Sequence, residues 1–118
     1  LRPGGVAHIV THLYTSRSGA HDVRLFVNID ALSPWAHLRP RYSAMVRPNT
    51  YTNEMRLHEY MAAFDEHWPG ACNELQGGDS PAKAELLSQL RAAGELSDYT
   101  DEELVSDVLR TVWRKDLK

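Results

Sequence analysis

The chain has 118 residues, 42% of them hydrophobic and 25% charged, enough for one real core but not two. No apolar run approaches the ~20 residues that span a bilayer, and no basic-then-apolar leader is in view. Residues 1–50 hold six arginines against two aspartates, a balance of +4, whereas residues 51–118 hold seven basic and fourteen acidic side chains, a balance of −7.

The expectation is therefore a soluble, cytoplasmic, single domain spanning residues 1–118, strand-rich over 6–47 and helix-rich over 50–118. Charge divided in this way either steers a partner or lets the two halves neutralise each other across their contact. Cys72 is the single cysteine, so no internal disulfide and no cysteine-based zinc site can form.

Residues 6–14 are rich in β-branched and aromatic side chains and predict a strand. Alternation places Ala7, Ile9, Thr11 and Leu13 on one face and Val6, His8, Val10, His12 and Tyr14 on the other. A polar turn over 15–21 leads to residues 23–29, where Val23, Leu25, Val27 and Ile29 alternate with Asp22, Arg24, Phe26, Asn28 and Asp30. That pattern predicts a second strand, closing an antiparallel hairpin with the first. Ser33 and Pro34 suit the start of a short helix stopped by Pro40, and 41–46 suits a third, short strand.

Thr50 or Thr52 can cap a helix running to about Trp68, with Leu57, Met61, Phe64 and Trp68 on one face. Phe64, Trp68 and Leu109 are assigned to the core on this helical spacing. Pro69-Gly70 ends the helix, and residues 71–76 read as a single helical turn. Ser80-Pro81 opens the next helix, and Thr100 with Glu103 forms a capping box for a last one. Leu104, Val105, Val108, Leu109, Val112 and Trp113 give that last helix an apolar face, and Arg110, Arg114, Lys115 and Lys118 suit its negative end. The two predict an αα-hairpin. The expected fold is α+β: an N-terminal β-hairpin, with or without the third strand, packed on about three helices.

No catalytic or cofactor signature stands out. His8 and His12 would share a metal if helical, but on a strand they lie about 13 Å apart at ~3.3 Å per residue. Ser16 and Ser18 near His12, His21 and Asp22 lack any nucleophile-elbow pattern. The stretch 35–51 gathers Trp35, His37, Arg39, Arg41, Tyr42, Arg47 and Tyr51, and guanidinium forks beside aromatic rings suit phosphate, carboxylate or exposed-base recognition. Arg39 and Arg41 flank Pro40, and in an extended segment they would form one two-pronged cationic site.

The reading is a small binding or regulatory module that contacts another macromolecule, most simply a protein, through 35–51 and needs no cofactor. A metal-independent nuclease or nucleic-acid-binding domain using His37, Arg39 and Arg41 is the alternative, and a histidine-based metal protein is a third.

Overall fold

The computed structural model describes residues 1–117. Their order is β1 (Val6–His12), α1 (Arg24–Val27), 3-10 turns at Ile29–Ala31 and Ala36–Leu38, α2 (Pro40–Ser43), α3 (Leu57–His67), β2 (Cys72–Gln76), α4 (Pro81–Ala92), α5 (Asp101–Val105) and β3 (Val108–Arg114). The architecture is mixed α+β, with one antiparallel sheet in the order β1-β3-β2.

β1 follows its alternation: Ala7, Ile9 and Thr11 turn to the covered face, Val6, His8, Val10 and His12 to the exposed one. Its partner, however, is β3, with Ile9 opposite Thr111 and Thr11 opposite Leu109. The last predicted helix therefore stops at Val105. Its apolar spacing fits a helix and a strand equally, and the β-branched run Val108, Thr111, Val112 settles the ambiguity in favour of the sheet. Leu109 and Thr111 are buried on the covered face, where Thr111 Oγ1 donates to Asn73 Oδ1 at 2.7 Å. Residues 71–76, expected as a helical turn, supply β2, and the αα-hairpin gives way to α4, the short α5 and a strand. Lys118, assigned to the end of the final helix, lies outside the described residues.

The expected strand over 23–29 is also absent. Asp22 Oδ1 accepts from the Arg24 amide at 3.1 Å and Asn28 Oδ1 from the Asp30 amide at 2.9 Å. These side-chain-to-backbone bonds open helical turns and outcompete the period-2 pattern. Residues 41–46 likewise begin as α2, with Pro40 in its first turn, rather than as a third strand of the N-terminal half.

The core gathers Trp35, Leu38, Leu87, Leu96 and Leu104, with Tyr14, Leu86, Leu90, Tyr99 and Val105 packed against it. It sits where α4, α5 and the Ala36–Leu38 turn meet. Trp35 is held at φ +50°, a left-handed conformation that carries strain of about 1–3 kcal/mol, and its indole is completely buried.

α3 is more loosely attached. It starts at Leu57 rather than at Thr50 or Thr52, with Glu59 Oε1 accepting from the Arg56 amide at 3.0 Å. No residue of α3 is fully buried, so Phe64 and Trp68 are half-buried rather than central. They form a ladder with neighbouring rings: Tyr60 to Phe64 at 6.4 Å, Phe64 to Trp68 at 5.4 Å, and Trp68 to Trp113 of β3 at 5.6 Å. The radius of gyration, 16.2 Å, exceeds the ~13 Å of a compact chain of this length, and the extents of 52 × 29 × 22 Å describe an elongated body.

Leu104→Ala is expected to cost about 2–5 kcal/mol in urea melts, as a completely buried leucine does. Phe64→Ala, which removes one rung of a half-buried ladder, is expected to cost less. The reverse order would place the energetic centre in the ladder.

Candidate functional site

The stretch 35–51 splits into a buried half and an exposed half. Trp35, Ala36, Leu38 and Arg39 are buried, whereas Arg41, Arg47 and Tyr51 are exposed and Tyr42 is intermediate. Arg39 is only 6% exposed. It grips Glu95 through Nε–Oε1 at 3.2 Å and Nη2–Oε2 at 2.8 Å, and donates through Nη1 to Ser33 Oγ at 2.6 Å and the Pro34 carbonyl at 3.0 Å. The two-pronged site expected of Arg39 and Arg41 is not formed, because α2 replaces the extended segment and sends the two forks apart in burial. Both guanidiniums still meet the Tyr42 ring, at 4.3 Å for Arg39 and 5.5 Å for Arg41.

His37 is equally committed. Its Nε2–H donates to the Tyr14 carbonyl at 2.6 Å, and burial lowers its pKa to about 4, against a smaller opposite push from that bond. At neutral pH it is an uncharged imidazole. The trio His37, Arg39 and Arg41 therefore does not converge on one point.

The exposed half joins a surface that the sequence reading missed. Asp22 is almost completely buried and organises it. Its carboxylate accepts from Arg24 Nε at 3.0 Å and Nη2 at 2.7 Å and from the Arg47 amide at 2.9 Å, while Arg24 Nη2 also reaches the Met45 carbonyl at 2.8 Å. An isolated bridge between Asp22 and Pro48 and a bond from the Asn49 amide to the His21 carbonyl at 2.9 Å complete the lacing of 22–29 to 45–49. The Arg24 fork holds the Asp22 carboxyl well below the usual carboxylate range, outweighing the upward push of burial.

On this frame α1 turns Leu25 inward beside Ala20 and presents Val23, Phe26 and Val27 to solvent. Their spacing of three and four residues puts them on one side of the turn. Phe26 is 74% and Val27 90% exposed; Met45 stands in the strand of chain laced to them, and Tyr51, 88% exposed, follows it. Arg41 and Arg47, both exposed, flank Met45 in the chain and make no ion pair among the described residues. The missed signal was local: an aspartate two residues before an arginine, ahead of a short apolar run.

The described residues also form three concavities. A polar cleft of about 370 Å³ is lined by Tyr14, His37, Glu54, Arg56 and Tyr99, and a smaller one beside it by His12, His21, Tyr51 and Tyr60. Burial, followed by the Glu54 carboxylate, pushes the Tyr14 phenol up to about 12, so it remains a hydrogen-bond donor at neutral pH. His21 and Glu54 sit at left-handed φ of +53° and +57°. The third concavity is a groove of about 670 Å³ between α3 and the covered face of the sheet, with Leu57, Met61, Leu75 and Leu109 among its walls. Rings of His12 and His21 meet at 5.0 Å, yet among the described residues no three histidine, cysteine or acidic side chains converge as a metal site.

No known protein family, curated protein or solved structure matches this chain.

The lowered His37 pKa makes a stability prediction. Between about 4 and its ordinary 6.5 the unfolded chain binds the His37 proton and the folded one does not. Stability is therefore expected to fall as pH drops through this window, because the unfolded state takes up more protons. NMR titration should give His37 an inflection near pH 4, and His37→Gln should flatten the stability profile over that window. An inflection near 6.5 would place the ring in solvent. The loss contributed by Asp22, whose carboxyl is held below its usual range by Arg24, begins at lower pH.

Proposed function

We propose that this chain is a protein-binding module whose contact surface is the arginine-bordered apolar platform of α1 and residues 45–51. The observation that carries the reading is the exposure of Phe26 and Val27 on a helical turn none of whose residues is buried. Burying each such side chain is worth about 1.5–3 kcal/mol, so an unpartnered stripe forgoes that stabilisation. Single exposed apolar residues need no explanation, but Val23, Phe26 and Val27 share one side and stand on a frame made rigid by Asp22.

The composition supports the same reading. Phenylalanine, methionine, tyrosine and arginine are the residues that protein interfaces favour, and lysine, which they avoid, is absent from residues 1–50. Arg24 is spent partly on Asp22, whereas Arg41 and Arg47 supply a positive border that would steer an acidic partner. Arg39 and His37 are committed to internal partners, Glu95, Ser33 and Pro34 for the one and Tyr14 for the other, and take no part in the platform. A nucleic-acid reading retains one favouring observation, the exposed Tyr51 ring following Arg47, which suits base stacking.

Capture from an extract of the source cells tests this. Phe26→Asp with Val27→Asp should abolish recovery of a stoichiometric protein at an unchanged thermal midpoint. Arg41→Glu with Arg47→Glu should weaken it and remove its salt dependence. Glu74→Ala, at an exposed position of β2 outside the platform, should leave it intact. Undiminished capture by the first double variant sinks the platform, and a partner that disappears on nuclease treatment moves the assignment to nucleic acid.

A further inference from the structure

The groove between α3 and the sheet is the chemical complement of the platform. Its walls are apolar through Leu57, Met61, Leu75 and Leu109, and Asp65 and Glu102 also line it. Neither of those two carboxylates has an ion-pair partner among the described residues. Glu103, which also lines it, is already neutralised by the Arg56 fork at 2.8 Å. The groove stays open because α3 meets the sheet through the aromatic ladder and not through its Leu57 and Met61 flank.

One chain thus carries a convex apolar surface bordered by Arg41 and Arg47 and a concave apolar surface bordered by Asp65 and Glu102. The two are built from separate residues, and they follow the division of the chain into a +4 half and a −7 half. At about 670 Å³ the groove lies within the range that encloses most of a small ligand's surface, ample for a phenylalanine ring with a neighbouring valine. We infer that the occupant of the groove is the platform of a second copy of this chain, with Phe26 and Val27 seated among Leu57, Met61 and Leu75 and the arginines facing Asp65 and Glu102.

This deepens the protein-binding reading and rests on it, since it names the partner of the same platform. The contact is heterologous, a knob of one copy in the groove of the next. Each added copy leaves one free knob and one free groove, so the assembly grows into a ring if the rotation closes and into a fibre if it does not. Opposite charges at the border make the association weaken as salt rises.

Sedimentation velocity over a concentration series tests the pairing. The wild-type chain should show a weight-average mass that rises with concentration and falls in high salt. Phe26→Asp, which spoils the knob, and Met61→Glu, which spoils the groove, should each stay monomeric. Their equimolar mixture retains one good knob and one good groove and should therefore stop at a heterodimer. Should Met61→Glu fail to fold by circular dichroism, Asp65→Arg on the exposed border serves as the groove variant. A mixture that remains monomeric, or growth that persists in either single variant, overturns the pairing. A wild-type chain that is monomeric at every concentration also overturns it, while the platform itself is judged separately by the capture experiment.

Discussion

The constraint on which this structure depends lies at the end of a five-residue helix. The last carbonyls of any helix lack partners within it, and a buried acceptor left without one costs about 1–3 kcal/mol. In α5 three consecutive carbonyls are satisfied by side chains from three distant segments. Thr15 Oγ1 donates to the Glu103 carbonyl at 2.8 Å, Trp35 Nε1 to that of Leu104 at 3.0 Å, and Lys83 Nζ to that of Val105 at 2.8 Å. The Lys83 ammonium also reaches Asp107 Oδ1 and the Gly77 carbonyl, where the chain leaves β2. At the other end of α5, the buried Glu103 carboxylate accepts from Thr100 and from the Arg56 fork, and these donors hold its pKa down against burial. A helix too short to be stable alone is thereby made the junction of the fold.

That junction explains which parts of the fold could be read from the residues. Thr100 with Glu103 and Ser80 with Pro81 are local signals, and both helices begin where those signals place them. β1 was legible because its alternation is local too. β3 was not, since Leu104 to Trp113 satisfies both periods and only pairing with β1 and β2 decides between them. The strand character of Cys72–Gln76 exists almost wholly in its register with β3, of which the sequence carries no trace. At 23–29 the alternation was real but subordinate to the side-chain-to-backbone bonds of Asp22 and Asn28.

The stretch 35–51 shows the same division between local and tertiary information. Arginine content over 35–51 was visible, but what separates Arg39 from Arg41 is Glu95, more than fifty residues away in sequence. The internal-neutralisation reading of the charge asymmetry holds for that pair. Among the described ion pairs, Arg39 with Glu95 alone joins the basic half to the acidic one; Arg17 with Asp30 and Arg24 with Asp22 stay within the first half. Much of the segregated charge, Arg41 and Arg47 included, is therefore left facing outward.

The sheet order has a consequence for how the chain is made. β1 pairs with β3 alone, and β3 follows it by roughly a hundred residues. At a synthesis rate of ~5–20 residues per second, Val6–His12 leaves the ribosome about 5–20 s before its partner exists. During that interval a β-branched segment has both edges unpaired, the condition in which strands pair with the wrong neighbour. His8 and His12 interrupt the apolar run on one face and Thr11 on the other, so it is less adhesive than an unbroken valine stretch. The interval before the last strand arrives is therefore the one in which this chain is most open to mispairing.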